Sequence, residues 1–508
     1  MTVVTRPIVP ARVRALPVGA VAAVALLAVS VHVRTRALGA PFWGDEGLSA
    51  GIASHPLTAI PGVLREDGSP PLYYLLLHVW MAVVGSSEAA IRALSLVFAL
   101  ATVPAGLWLG RALFGARAGW MCAALCALSP LLSAYAQEAR MYALVGLLAL
   151  LASGAFVAVF VQRRRDFRWL LAGALAALLY THAWGLFFAL VAALAAAALA
   201  INAPDRRALL IDAAIGFGGS ALLFLPWLPT LLFQAAHTGA PWASTPHLRA
   251  LPRAVTRVLA GPGPLVAFVV AAGVMLSARR PARELRAAAA LLGLAAGTLL
   301  VAWGYAHHQA NWASRYLIIL LGPLLLLGGL ILSRAGAAGV TALLVIGVTW
   351  FSLPPYRSIS HKSNIRTVVA GLGPELRRGD LVVAAQPETG PLLHYELGDR
   401  VRYADAMGRV ADPRVMDWRD ALARLRRSSP RAVLALADAL PRGARVALVR
   451  PVTSHSGWRA RWTHLVKVRA AALGKALQAD RRLRLIVTIT PGRKGSESTL
   501  RALVYERL

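Results

Sequence analysis

Residues 141–161 read MYALVGLLALLASGAFVAVFV, a run without one charged side chain. As a single helix it is long enough to cross the roughly 30 Å hydrocarbon core of a bilayer. Similar apolar runs recur at 89–110, 118–136, 169–182, 184–201, 208–233, 263–278, 287–306, 316–333 and 337–353. Ahead of them Arg6, Arg12 and Arg14 precede an apolar stretch from about Ala15 to Val33. That stretch is too long for the core of a secretory signal peptide and reads as a retained first helix. The reading predicts an α-helical polytopic membrane protein with about eleven spans.

Composition agrees, since 57% of the 508 residues are hydrophobic, 15% are charged and the mean hydropathy is +0.59. A water-soluble chain has too little interior to hide that much apolar surface. The formal charge of +31 would point to nucleic acid in a soluble protein. Here the arginines sit between apolar runs: Arg111 and Arg117, Arg163 to Arg168, Arg206 and Arg207, Arg279 to Arg286, and Arg334. These links alternate with links poor in arginine, 136–138 and 181–183, which is the pattern of cytoplasmic against outer loops. It sets a cytoplasmic N-terminus in a multi-pass cell-membrane protein and no nucleic-acid partner. Cys122 and Cys126 lie four apart in an apolar run and read as small hydrophobes, neither a disulfide nor a metal site.

The stretch Pro71–Gly85 is apolar for only about fourteen residues and starts at two prolines. Counting it as a span would reverse every later helix, so it is expected at the outer interface, inside a large first outer loop, 34–88. Arg34 and Arg36, and Arg249, Arg253 and Arg257 of the outer loop 234–262, have no topological role there. Anionic ligands, membrane lipids included, suit them. After residue 353 the texture changes, with Pro354, Pro355 and short β-like runs at Leu381–Ala385, Ala432–Leu436, Val446–Val449 and Leu485–Ile489. Helical patterns near 364–378, 417–427 and 458–478 intervene. The chain thus divides into a transmembrane domain, 1–353, and a small C-terminal extracytoplasmic α/β domain, 354–508. Glu388 and Glu396 of that domain follow strand-like runs without a partner base and read as ordinary surface acids.

The first outer loop holds Phe42-Trp43-Gly44-Asp45-Glu46-Gly47. Adjacent carboxylates beside aromatics can supply a general base and a second acceptor for a hydroxyl or a divalent ion. Acids also favour the first turn of a helix with no chemistry attached. Further along come Asp67-Gly68-Ser69-Pro70-Pro71-Leu72-Tyr73-Tyr74, then Glu138, Arg140 and Tyr142 in QEARMY, His182 in YTHAW, and Arg315 and Tyr316 at the head of a span. A lone interfacial histidine is more often structural. An arginine at a helix end can snorkel to lipid, but it can also pair with a phosphate through two donors. His307 and His308 point in different directions on regular backbone, and no third ligand accompanies them, so no metal site is expected.

Taken in order, FWGDEG, DGSPPLYYLLLHVW, SSEAAIRALSLVFA with GRALFG, SPLLSAYAQEARMYAL and ASRYLIILLGPLLLL resemble the bacterial relatives of protein O-mannosyltransferases and lipid A aminoarabinose transferases. Those are polyprenyl-phosphate-sugar-dependent glycosyltransferases of the GT-C class. The resemblance spans about 40–350. It implies a GT-C type fold, a polyprenyl-phosphate-linked sugar donor, most commonly of mannose, and a protein or glycolipid acceptor outside the membrane. It also implies a catalytic acid in the first outer loop, matched here by Asp45 with Glu46 beside it. Substrate-binding positions would be Tyr73, Tyr74, Glu138, Arg140, His182, Arg315 and Tyr316. Many relatives carry His or Lys where this chain has Ser69. No cofactor is required, while a divalent cation stays open as an auxiliary. A single displacement would invert the anomeric centre. The rival reading is a lipid-linked-sugar transporter or flippase, which calls for charges near the bilayer midplane rather than at outer helix ends.

Overall fold

The computed structural model describes residues 18–201, 203–353, 356–452, 460–492, 495 and 497–508. The basic stretch with Arg6, Arg12 and Arg14, and Pro354 and Pro355, lie outside the described residues. Each apolar run forms helix: Val18–Arg34, Glu88–Phe114, Ala116–Leu128 continued by Pro130–Tyr135, Tyr142–Val161, Arg168–Leu179, Gly185–Ile201, Arg206–His237, Pro262–Ser277, Ala282–His308, Ser314–Arg334 and Gly336–Ser352. Among the described residues five of these are long and apolar enough to cross a membrane alone. A sixth appears if Ala250–Val258 and Pro262–Ser277, bent by 83°, count as one. Tyr142–Val161 and Ser314–Arg334 are 89% and 83% buried and form the centre of the bundle, whereas Arg206–His237 is 28% buried. Outer helices show bare leucine and valine, as at Leu222 and Val348, so the chain is a helical membrane protein whose flank faces lipid.

The arginine-rich links meet at one end of the bundle. Arg334 grips Glu284 at 2.6 Å and donates to the Phe114 carbonyl at 2.9 Å, Arg283 donates to the Gln162 carbonyl at 3.1 Å, and Arg117 to the Gly336 carbonyl at 2.9 Å. The loop 34–88 folds at the opposite end into helices Gly44–Ala53, Ile60–Asp67 and Leu72–Val84. The last has 13 residues, about 20 Å of helix. Tyr73, Tyr74 and Leu77 are buried inward, and Val79 and Val83 stand exposed.

The tail carries a six-stranded sheet of β1 (Leu381–Ala384), β2 (Arg402–Asp405), β3 (Gly408–Arg409), β4 (Arg445–Pro451), β5 (Leu483–Ile489) and β6 (Leu500–Arg507), in the order β3-β2-β1-β4-β6-β5. β2, β1 and β4 run parallel, while β3 and β6 are antiparallel to their neighbours. One expected strand is corrected: residues 432–436 lie within a helix, Pro430–Asp438. Ser429 caps it, Pro430 opens it, and Val433 and Ala437 bury one face four residues apart, a helical period.

The sheet domain docks on helix Gly44–Ala53. Gly47 and Gly51 form its contact face: a Cβ on Gly47 would sit 2.6 Å from the Leu392 backbone, and one on Gly51 would collide with the Arg414 carbonyl. His55 Nε2 meets Asp412 at 2.6 Å, and the Tyr395 hydroxyl donates to the Ser86 carbonyl at 2.8 Å. Gly51→Val is therefore expected to force the two domains apart, read as faster limited proteolysis of residues 356–508 in otherwise folded membrane protein. Unchanged cleavage would show that the contact yields to a side chain.

Candidate active site

Asp45 and Glu46 open helix Gly44–Ala53, and neighbours on a helix point in different directions. Glu46 turns into the bundle. Its carboxylate takes two guanidinium hydrogen bonds from Arg92, at 2.7 and 2.6 Å, and one from the Ala139 amide at 2.8 Å; both side chains are 1% exposed. Arg92 also donates to the Leu38 and Ala40 carbonyls, so one buried ion pair clamps the loop onto helix Glu88–Phe114. Glu46 is thus buried and paired to Arg92 and the Ala139 amide.

Asp45 turns the other way. Its Oδ2 lies 3.6 Å from Arg315 Nη2 and 3.9 Å from Arg140 Nε, buried and accepting no hydrogen bond. Arg140 Nη1 donates to the Tyr74 hydroxyl at 3.2 Å and to Ser49 Oγ at 3.3 Å. Arg315 lies against the Trp242 ring at 4.6 Å and beside Tyr316 and Trp43. Tyr316 packs on His182, ring centres 4.6 Å apart, and His182 Nδ1 accepts the Trp184 amide. The Tyr73 hydroxyl pairs with Ser95, which in turn donates to the Arg140 carbonyl, and the Tyr73 ring stands edge-on to Tyr74. Asp45, Arg140, Tyr74, Arg315 and Tyr316 therefore share one chamber. Tyr73 and His182 belong to its packing wall.

Glu138 is paired to a cation of the second domain. It binds Lys362 Nζ at 2.6 Å, and that ammonium sits 5.0 Å from the centre of the Trp43 ring. Burial alone would lower the Lys362 pKa, but Glu138, Glu46 and Glu497 together raise it above the ordinary lysine value. Glu388, expected at the surface, faces inward. Its Oε1 accepts from the Trp462 indole at 3.0 Å and from Gln386 at 2.9 Å, and its backbone carbonyl stands 3.6 Å from where a Cβ on Gly44 would be. Burial raises its pKa, and also that of Asp67, which sits 7% exposed behind the paired prolines.

Arg92, Lys362, Asp67 and Glu388 were not among the sequence-derived site residues. Arg92 carried a signal, a lone arginine in the opening turns of an apolar helix. Lys362 carried none, because its partner Glu138 lies in the other domain, and Glu388 carried none, because its indole donor Trp462 is 74 residues away. Beside the chamber lies a cavity of about 770 Å³, lined by Arg253, Arg257, Trp312, Ser314, Leu317 and Leu353 among others. Among the described residues no three His, Cys, Asp or Glu side chains gather as metal ligands.

No protein-family model and no curated protein matches this chain. Solved structures do. Apo ArnT from Cupriavidus metallidurans has a TM-score of 0.66 at 14% identity, covering 96% of this chain and 98% of its own. The same enzyme bound to undecaprenyl phosphate scores 0.63 at 13%, with the same coverage. The archaeal oligosaccharyltransferase AglB from Archaeoglobus fulgidus, in complex with an inhibitory peptide and a dolichol-phosphate, scores 0.53 at 12%, covering 84% of this chain and 69% of its own. The arabinofuranosyltransferase AftD from Mycobacteria scores 0.53 at 16%, covering 96% of this chain and 39% of its own. The agreement with all three is in fold, and the chain has the GT-C fold.

Proposed function

We propose that this chain is a membrane glycosyltransferase that moves a sugar, mannose in the first instance, from a polyprenyl-phosphate carrier to an acceptor hydroxyl at the outer membrane face. The observation that carries the reading is Asp45, an acid with an uncommitted oxygen held between Arg140 and Arg315. Such a reaction needs one proton removed and one phosphate steadied. The acceptor O–H gives its proton to Asp45 while its oxygen bonds to the anomeric carbon. The bond from that carbon to the phosphate oxygen breaks, and the carrier phosphate leaves with the electron pair toward Arg315 and Arg140. One displacement inverts the anomeric centre. The neighbouring cavity, apolar with Arg253 and Arg257 on its lining, suits a polyprenyl chain with its phosphate. Glu46 in this reading positions the loop, and Glu138 holds Lys362. The acceptor is a protein or glycolipid hydroxyl. Transfer of labelled sugar from mannosyl or arabinosyl polyprenyl phosphate by the purified protein tests the proposal, and no transfer from either would sink it.

The associated topology has about eleven spans, a cytoplasmic N-terminus and the domain 354–508 outside, supported by the clustering of arginine-rich links at the far end of the bundle. Arg400→Cys should react with a membrane-impermeant thiol reagent in intact cells, since Arg400 is exposed and Cys122 and Cys126 are buried. Labelling only after the membrane is opened would invert the topology. The reading requires no cofactor, with a divalent ion beside Asp45 as the alternative. Chelator treatment is expected to leave the transfer rate within about twofold, well short of the factor a positioned catalytic group supplies.

A further inference from the structure

In the C-terminal sheet β1 has parallel neighbours on both sides, β2 and β4, so the chain leaves β1 in one direction and later returns on the other. The crevice outside the carboxyl ends of such strands is where open α/β sheets bind ligands. Glu388 stands in the turn just beyond β1, and this turn faces Gly44, next to Asp45. Its Oε1 is held by Trp462 and Gln386, while Oε2 is buried and accepts nothing.

Asp67 comes from the membrane domain with a matching feature. It is 7% exposed, and its Oδ2 is buried without a donor. Glu388 lies beside Gly44, next to Asp45, and is tied to the segment that ends at Asp67 through Trp462, whose ring packs on Trp418 at 5.1 Å while the Trp418 amide donates to the Glu66 carbonyl at 3.0 Å, so the two open oxygens border one region. Of the nearby cations Arg92 is held by Glu46 and Lys362 by Glu138, while Arg140 and Arg315, 3.9 and 3.6 Å from Asp45, each keep an Nε donor without a partner. A buried acceptor without a donor is costly until a ligand supplies one. The Trp43 indole N–H adds a buried donor without an acceptor in the same region. Open acceptors, an indole donor and aromatic faces match a ring that carries several hydroxyls.

We propose that Glu388 and Asp67 hold hydroxyls of the donor sugar, so that the C-terminal domain supplies part of the sugar subsite. The inference rests on the transfer reading above. In Glu388→Gln the amide oxygen still accepts from Trp462, but the open oxygen becomes an NH2 group that cannot accept. Asp67→Asn makes the same change on the other side.

The full-length protein should be titrated with bare polyprenyl phosphate, with mannosyl and arabinosyl polyprenyl phosphate, and with monodeoxy versions of the sugar lipid. Each substitution is expected to weaken binding of the sugar lipid about tenfold, the size of one lost hydrogen bond to a charged group. Affinity for the bare lipid and the melting temperature should be unchanged. One deoxy sugar should lose the same factor against the original protein and nothing against Glu388→Gln, as coupled partners do. Equal losses for bare and sugar-bearing lipid, or no loss for either, would overturn the subsite while leaving the transferase reading intact. If the unsubstituted protein binds neither sugar lipid better than the bare one, the donor reading itself fails and the subsite falls with it.

Discussion

Asp45→Asn is expected to slow sugar transfer by about 10² to 10⁴-fold, the range a positioned general base contributes. The substitution keeps the size of the side chain and removes the charge that takes the acceptor proton. Helix Gly44–Ala53 should be undisturbed, because its docking runs through Gly47, Gly51 and the Glu46–Arg92 pair. Arg140 and Arg315 lose a counter-charge and turn to the carrier phosphate more readily, so affinity for bare polyprenyl phosphate should hold or rise. The checking measurement pairs single-turnover transfer with carrier binding on the same preparation. Transfer at the original rate would remove Asp45 from the chemistry. Movement of a sugar lipid across the membrane without transfer would instead favour the transporter reading.

Glu46→Gln should act on stability. Arg92 and Glu46 are both 1% exposed, and removing one member of such a pair leaves a buried charge uncompensated at a cost of about 3–5 kcal/mol. The expected readout is a clear fall in melting temperature in detergent, with the first outer loop opening before the bundle. Adding Arg92→Met should recover only part of the loss. It removes the stranded charge, but the Leu38 and Ala40 carbonyls lose their donor as well. A melting temperature equal to that of the original protein for Glu46→Gln would show that water or another group takes over the contact.

The two acids of GDEG show how far linear reading reaches. Their position outside the first helix, and the need for acid there to have a reason, were visible in the residues alone. That one of them is a strut and the other faces the chamber was not. Successive residues on a helix point roughly 100° apart, and which direction is inward depends on where helix Glu88–Phe114 lies. Arg315 was identifiable as a cation at a span end, because a charge beside an apolar run stands out locally. Glu388 was misread as a surface acid because polarity alone makes a solvated position the better expectation. Trp462, brought over it from 74 residues away, and the docking of its turn against Gly44 put it inside.

The apolar runs, their lengths and the arginine alternation settled the membrane class and the order of helices, since each signal is carried by consecutive residues and by the local cost of placing them in lipid or water. The segment 430–438 shows the limit even there, as a short apolar run fits strand or helix equally until its cap and burial are known. Pairing of distant charges was decided by tertiary structure alone. Asp45 with Arg315, Glu46 with Arg92 and Glu138 with Lys362 join segments far apart in the chain. The energy of a charge pair depends on distance and burial, and neither is written in the sequence until the bundle and the sheet have closed around it.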